Sequence, residues 1–398
     1  MGKVKWRQIA SLAAIYSLIF LSNGTLLLSP AMDTMVRNFV DEPYSKVLLL
    51  YTLPSLVALP FTLLSALVMG KRVSYRTALL TVVPIYLISG VAPYFLESLN
   101  AVLACRAVFG ACVGVLAPQG NALILRTFPG EERYRFLGYS SVVIGLAGVV
   151  FQFLSGFLCT VGWNYVFLGH LVAAVPLVLI LFFLEEPGVP AEEERAPAET
   201  ASGSGGGFFK PGVLPLFGLV CVLYICSQSK MLTLSSIVAS EGMGDSVTSA
   251  GILSMATAGA ILGGLVFPYF CKFVPRYRTA ILILVLSLST LCNLVNSPIV
   301  IGAGYGIGTM AFMMNLSLVT VRASKLFPAS ESSKATTVIQ FADKGGVFLS
   351  TYYTTAIKWM AENFHWPISV YKAPVAVCLV IYALAALYDK RKYGPDGT

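Results

Sequence analysis

An aspartate and a lysine stand side by side in "VIQFADKGGVFLS", residues 338 to 350, where only Gln340 and Ser350 among the neighbours are polar. A desolvated carboxylate can carry a proton near neutral pH, and a nearby ammonium opposes this, so Asp343 and Lys344 together are a candidate coupling site. On a helix, adjacent residues point about 100° apart, so the two are not an ideal pair with each other. Gln340 is i−3 to Asp343 and i−4 to Lys344 and can touch either. Gly345 and Gly346 allow close backbone approach. The expectation is that one charge faces a cavity and the other a neighbouring helix; the alternative is an inert buried ion pair that sets helix register.

Two further cations lie in apolar runs. Arg106, in "LACRAVFGACVG", falls about six residues into its run, roughly 9 Å from the end at ~1.5 Å per residue. It is a candidate for solute contact or coupling, or else it holds backbone carbonyls of neighbouring helices. Lys230, in "YICSQSKMLTLSS", has Ser227 at i−3 and Thr233 at i+3, a narrow polar stripe suited to a water-lined cavity. Charges at bilayer depth cost about 2.5–3.5 kcal/mol each on insertion scales and usually face the bundle interior. Asn23, Gln119, Asn121, Gln152 and Asn315 are polar candidates of lower information, because such residues also serve as helix–helix glue. Tyr16, Tyr224, Tyr305 and the run "MAFMMN" (310–315) are either core or the lining of an adaptable pocket.

The elements that position these residues are written in the composition. The chain has 398 residues, 57% hydrophobic and only 12% charged, against about a quarter charged in soluble proteins. Twelve apolar runs are long enough to span a bilayer, each needing roughly 20 residues: 8–29, 46–69, 76–96, 100–126, 136–160, 164–184, 212–238, 246–271, 278–296, 299–324, 335–360 and 368–388. Tracts such as "LISGVAPYFL" do not alternate in polarity, which excludes a β-barrel. The first run is too long for a signal-peptide core and reads as a retained span. Asp343 is the one carboxylate that these boundaries place well inside a span. The eight cysteines all fall in or beside spans without a CxxC pair, so they read as packing residues, and no metal or cofactor is expected.

The net charge of +8 follows from topology rather than from nucleic-acid binding. With the N-terminus inside, twenty Lys and Arg fall in the inner segments, and only Arg37, Lys46, Lys358 and Lys372 in the outer ones. That bias places both termini in the cytoplasm of a cell-membrane protein. Residues 185–211, "EEPGVPAEEERAPAETASGSGGGFFKP", have a flexible linker's composition, and their glycines lack the Gly-Lys-Ser/Thr of a phosphate loop. The chain thus divides into 1–184, a six-helix half; 185–211, a cytoplasmic linker; and 212–398, a second six-helix half with a short tail. "YRTALL" (75–80) is echoed by "YRTAIL" (277–282), and Phe128–Pro129 by Phe327–Pro328, half a chain apart. Two like halves with a site near the midplane is a transporter architecture.

This pattern resembles the major facilitator superfamily over essentially the whole chain. "LACRAVFGACVGVLAPQGNALILRTFPGEERYRFLGY" (103–139) is similar to the family's fourth-helix pattern, with Arg106, Gly110 and Pro118; "GLAGVVFQFLSGFLCTVGWNYVF" (145–167) is similar to its fifth-helix glycine pattern, with Gly148, Gly156, Trp163 and Phe167. In "SALVMGKRVSYR" the gating-loop motif keeps Gly70, Arg72 and Arg76 but puts Lys71 where the family has aspartate, and Gln152 stands where the antiporter pattern has proline. The resemblance implies an all-α polytopic membrane protein, twelve transmembrane helices in two six-helix halves around a central cavity, working by alternating access. It implies a small-molecule solute, protons as coupling ion, the lipid bilayer as surroundings and a monomer. Within it, efflux of a drug-like compound or metabolite is expected. The alternative is organic-anion uptake or exchange, favoured by the three cations in the spans against one carboxylate. An enzyme is not expected: His170 and His365 are the only histidines, and neither has an acid–base or metal-ligand neighbour at useful spacing. A non-transporting sensor on the same fold would be marked by a long soluble extension, which the sequence lacks.

Overall fold

Proline and small polar residues interrupt the long apolar helices at defined points. In the computed structural model, which describes every residue except Met1, Lys71, Pro129, Glu185, 187–212, Pro275, 326–331 and 394–398, two compact units appear, Met1–Arg195 and Ala196–Thr398. Lys71, the 185–211 linker apart from Glu186, Pro129 and the Phe327–Pro328 echo lie outside the described residues. Among the described residues there is no β-strand, only an isolated bridge between Met69 and Val73.

The first unit contains α1 (Gly2–Leu21), α2 (Met32–Asn38), α3 (Tyr44–Val68), α4 (Tyr75–Val91), α5 (Leu99–Leu116), α6 (Gln119–Thr127), α7 (Gly130–Val161) and α8 (Ala174–Phe183). Several combine into single spans. A 3-10 stretch, Gly24–Ala31, which contains Pro30, joins α1 to α2, so the first span runs Gln8–Asn38 rather than the expected 8–29. Pro118 offers no N–H to the helix ladder, and there α5 ends and α6 begins within one span, Leu99–Thr127. The core of this unit gathers Leu18, Val83, Phe109, Leu123 and Ile180.

The second unit contains α9 (Val213–Ser240), α10 (Ser246–Phe273), α11 (Arg278–Leu291), α12 (Pro298–Lys325), α13 (Ser332–Asn363) and α14 (Ala373–Tyr393), packed around Leu223, Leu286, Phe312, Val347 and Tyr382. Among the described residues, ten segments are long and apolar enough to cross a bilayer, six in the first unit and four in the second. Arg278–Leu294 is a shorter apolar helix, and α13, although 32 residues long, is not apolar enough to count. The expectation of twelve comparably apolar runs is corrected here: α13 carries Asp343, Lys344 and Lys358 and many threonines, and it is a span by length and packing rather than by composition.

Glycine sets the closest crossings in both units. A Cβ on Gly110 would lie 2.6 Å from the Pro54 carbonyl oxygen, and one on Gly114 2.3 Å from that of Ala58, so α5 lies backbone-to-backbone on α3. Thr62 Oγ1 donates to the Gly114 carbonyl across the same crossing, 3.0 Å. In the second unit a Cβ on Gly259 of α10 would lie 2.0 Å from the Gly306 carbonyl oxygen of α12. Small residues are what allow such approach in lipid, where packing and not hydrophobic exclusion holds helices together. Gly114→Val forces the pair apart and is expected to lower stability by about 1–3 kcal/mol, read as a fall in the unfolding midpoint of purified protein; an unchanged midpoint would show that the crossing yields freely.

The side chains left outside are those a bilayer welcomes: Leu67, Ile88, Phe157, Phe182, Leu265 and Phe273 are each more than half exposed. The loop before α10 is ordered by its cap. Asp245 Oδ1 accepts from the backbone N–H of Val247 and of Thr248, both 3.0 Å. The Thr248 N–H is the leading cause that holds this carboxyl below its ordinary range. A lowered carboxyl stabilises the fold above the unfolded value, about pH 4, and loses that contribution as pH falls through the folded value. Asp245→Ala is therefore expected to cost about 1 kcal/mol at neutral pH, and its deficit against the parent protein should shrink as a pH series of unfolding midpoints descends below the unfolded carboxyl value.

Candidate functional site: two buried cations without acidic partners

Arg106, on the second turn of α5, is fully buried. Its Nε donates to the Leu50 carbonyl of α3 at 2.9 Å, and its Cζ stands 4.2 Å from the Phe109 ring centroid. Nη1 and Nη2 have no hydrogen-bond partner among the described residues. Phe109 in turn contacts Tyr86 and, edge-on, His170, with centroids 4.6 and 4.8 Å away. His170 Nδ1 donates to the Phe167 carbonyl at 3.1 Å, which leaves Nε2 a buried acceptor without a partner. Donors on the arginine and an acceptor on the histidine thus stay unused around one aromatic cluster. Spacing could not reveal this, because residues 86, 106, 109 and 170 come from three separate spans.

Lys230, midway along α9, is only 6% exposed. Its Nζ lies 3.4 Å from Thr290 Oγ1 of α11, and 5.3 and 6.0 Å from the ring centroids of Tyr382 of α14 and Tyr305 of α12. Tyr305 Oη donates to the Lys230 carbonyl at 2.6 Å. The expected water-lined stripe is corrected by this packing: Thr233 spends its hydroxyl on the Ser229 carbonyl at 3.0 Å, and the ammonium points among tyrosine rings inside its own unit. Tyr305 was legible as a pocket residue; Thr290 and Tyr382 were not. From α14, Cys378 Sγ donates to the Cys226 carbonyl of α9 at 3.6 Å.

The Asp343–Lys344 pair differs from expectation. Lys344 Nζ meets Asp343 Oδ2 at 3.1 Å, with side chains 38% and 21% exposed. The long lysine stem bends back over the helix surface, overcoming the 100° between neighbours. Gln340 is exposed and bonds to neither charge among the described residues, and no contact joins Asp343 to Lys230. Gly346 does bring α13 close to α9: a Cβ there would lie 2.6 Å from Tyr224 Cβ.

A second correction concerns carboxylates. Asp389 lies within the last span, Ala373–Arg391, and is 1% exposed, so Asp343 is not alone. Arg322 Nη1 donates to Asp389 Oδ1 at 2.6 Å. Lys372, counted as an outer-loop residue, is also buried; it pairs with Glu241 Oε2 at 3.2 Å and bonds Asn296.

The remaining polar candidates are dispersed. Gln119 Nε2 donates to Ser65 Oγ at 3.2 Å, and Asn315 Nδ2 to the Thr279 carbonyl at 3.2 Å, so both tie helix to helix. Asn23 Nδ2 bonds back to the Ile19 carbonyl at 3.0 Å, Gln152 is buried, and Asn121 is exposed. Gly148 and Gly156 are buried in α7. In the gating loop Gly70 adopts φ +73°, where a Cβ would strike the Tyr75 ring at 2.6 Å. Arg72 is exposed, and Arg76 Nη2 donates to the Leu181 carbonyl at 2.6 Å. Glu186, beyond α8, accepts from the backbone N–H of Tyr75 at 2.7 Å and of Arg76 at 2.9 Å. The N-terminus of α4 is thereby capped by a carboxylate from another part of the chain, in a loop where Lys71 replaces the family's acid.

The family model described as "Major Facilitator Superfamily" matches residues 12–351. The chain belongs to the Major Facilitator Superfamily. Its family and fold are those of membrane transporters, not of enzymes. It is 27% identical over 205 residues to the "Uncharacterized MFS-type transporter Rv1250" of Mycobacterium tuberculosis, a match covering 51% of this chain and 32% of that protein. It is 21% identical over 198 residues to the "Multidrug transporter protein MdtP" of Bacillus subtilis, covering 49% and 35%. The matched stretch thus spans about a third of each relative. Among solved structures, the D323A mutant of the nucleoside transporter NupG superposes with a TM-score of 0.76 at 12% identity, covering 95% of this chain and 98% of that one. A D-xylose–proton symporter superposes at 0.70 and 14%, covering 96% of each. These likenesses establish the fold of a superfamily transporter.

Proposed function

We propose that this chain is a secondary transporter, working by alternating access, whose solute is a small organic molecule bearing an acidic group. The observation that carries this reading is the pairing of the buried cations, Arg106, Lys230 and Lys372. Asp343 pairs with Lys344, Asp389 with Arg322 and Glu241 with Lys372. Arg106 and Lys230 are left, each buried without a carboxylate in ion-pair range among the described residues. An unpaired buried cation is costly, and an anionic group on the solute offsets that cost at the moment of binding. Protons are the proposed coupling ion and Asp343 the proposed carrier: protonation dissolves its bond to Lys344. A cytoplasmic-membrane location with both termini inside completes the proposal, supported by the Lys/Arg bias of the loops.

A second reading, proton-coupled export of drug-like compounds, is favoured by the similarity to MdtP over half of the chain. The two separate in one experiment. Purified protein in liposomes on a sensor is challenged with organic anions, lipophilic cations and neutral solutes, with and without a pH gradient. Anion currents that depend on pH and fall in Asp343→Asn support the first reading. Currents from lipophilic cations alone, unchanged in Asp343→Asn, overturn it.

A further inference from the structure

Outside the charged clusters, one unexplained feature is a groove of about 460 Å3 on the surface of the second unit, between the first turns of α9 and the last turns of α14. Pro215, Gly218 and Val222 form one wall and Leu384, Ala385 and Tyr388 the other. Among the described residues, no charged one lines it. Leu384 and Tyr388 are 60% and 44% exposed, so the groove is open on this side of α14, within a segment long and apolar enough to cross a bilayer.

Its basic end identifies the occupant. Residues 381, 384, 385 and 388 form one stripe of α14, and Arg391, at i+3 from Tyr388, continues that stripe past the apolar wall. Arg391 is exposed and takes part in no ion pair among the described residues. Asp389, the nearby acid, faces inward and is already neutralised by Arg322 at 2.6 Å. Lys390 adds a second exposed charge, its Nζ 5.7 Å from the Tyr277 ring centroid. An apolar slot that ends on unpaired cations complements one amphiphile: an acyl chain below an anionic phosphate. We propose that the α9–α14 groove is a binding site for an anionic phospholipid, with one acyl chain between Gly218 and Leu384 and the phosphate on Arg391.

Two substitutions separate chain from headgroup. A Cβ on Gly218 meets nothing within 4 Å, so Gly218→Phe fills the groove without disturbing the fold. Arg391→Gln removes a headgroup charge. The full chain in detergent is titrated with dioleoylphosphatidylglycerol or dioleoylphosphatidylcholine, and bound lipid is counted by native mass spectrometry alongside the unfolding midpoint. The parent protein should retain one phosphatidylglycerol in preference to phosphatidylcholine and unfold at a higher temperature with it. Arg391→Gln should weaken that retention about fivefold, the worth of one basic residue at a charged surface, and Gly218→Phe should abolish it with the lipid-free midpoint unchanged. Equal retention of the two lipids, undiminished retention in Gly218→Phe, or displacement of the lipid by inorganic phosphate alone would each overturn the site.

Discussion

Lys230→Met is expected to remove anion transport while leaving the protein folded, with an unfolding midpoint equal to or above that of the parent. The two halves of this result have one cause. The Lys230 ammonium is buried beside a threonine hydroxyl and two tyrosine faces, with no carboxylate in range. Exchanging a buried, unpaired charge for an apolar side chain of similar length removes its desolvation cost, so the fold should not lose stability. Under the proposed function the same exchange also deletes a charged hydrogen-bond donor for the solute, worth about 1.5–3 kcal/mol, or roughly ten- to a hundredfold in affinity. Lys230→Ala would confuse the test, since the cavity it leaves carries a cost of its own. Sensor currents and thermal unfolding of the same preparation check both halves. Intact currents in Lys230→Met would make the lysine architectural and withdraw it from the site.

Asp389→Ala is expected to be the most damaging single change to stability. It takes from Arg322, whose side chain is 19% exposed, the carboxylate to which Nη1 donates at 2.6 Å, at a site 1% exposed. Removing one partner of a buried pair costs about 3–5 kcal/mol, and the residual solvent at Arg322 argues for the lower part of that range. Adding Arg322→Met in the same chain removes the charge that Asp389 balanced and should recover part of the loss. The unfolding midpoint is the readout. A double variant no better than the single would mean that Asp389 acts through something other than its bond to Arg322.

What was legible in the sequence was whatever depends on local composition. The spans of the first unit announce themselves because each must be apolar along its whole length. The positions of Arg106 and Lys230 within spans follow from counting. The partners of those residues did not follow, because contacts across a bundle join residues far apart in the chain: Lys230 meets Thr290, Tyr305 and Tyr382, and Arg322 meets Asp389 67 residues on. The inferred end of the last run, at residue 388, hid Asp389, since helical hydrogen bonding carries α14 on to Tyr393 after hydropathy has fallen. For Asp343 and Lys344 the periodicity argument misled, because it treats side chains as pointers, whereas a lysine has four carbons of reach. The belonging to a transporter family was readable from the fourth and fifth spans; the solute was not, since it is recognised by groups that spacing does not connect.

The cap that Glu186 places on α4 bears on any attempt to produce the halves as separate polypeptides. A first polypeptide that stops at residue 184, where hydropathy ends, would omit the carboxylate that closes the Tyr75 and Arg76 amides. Its third span would begin with the Tyr75 and Arg76 N–H groups unpaired, and only the Thr77 N–H still capped, by Ser74. A cut placed beyond residue 186 keeps the cap with the half it serves. Glu186 therefore contributes to the folding of the N-terminal half.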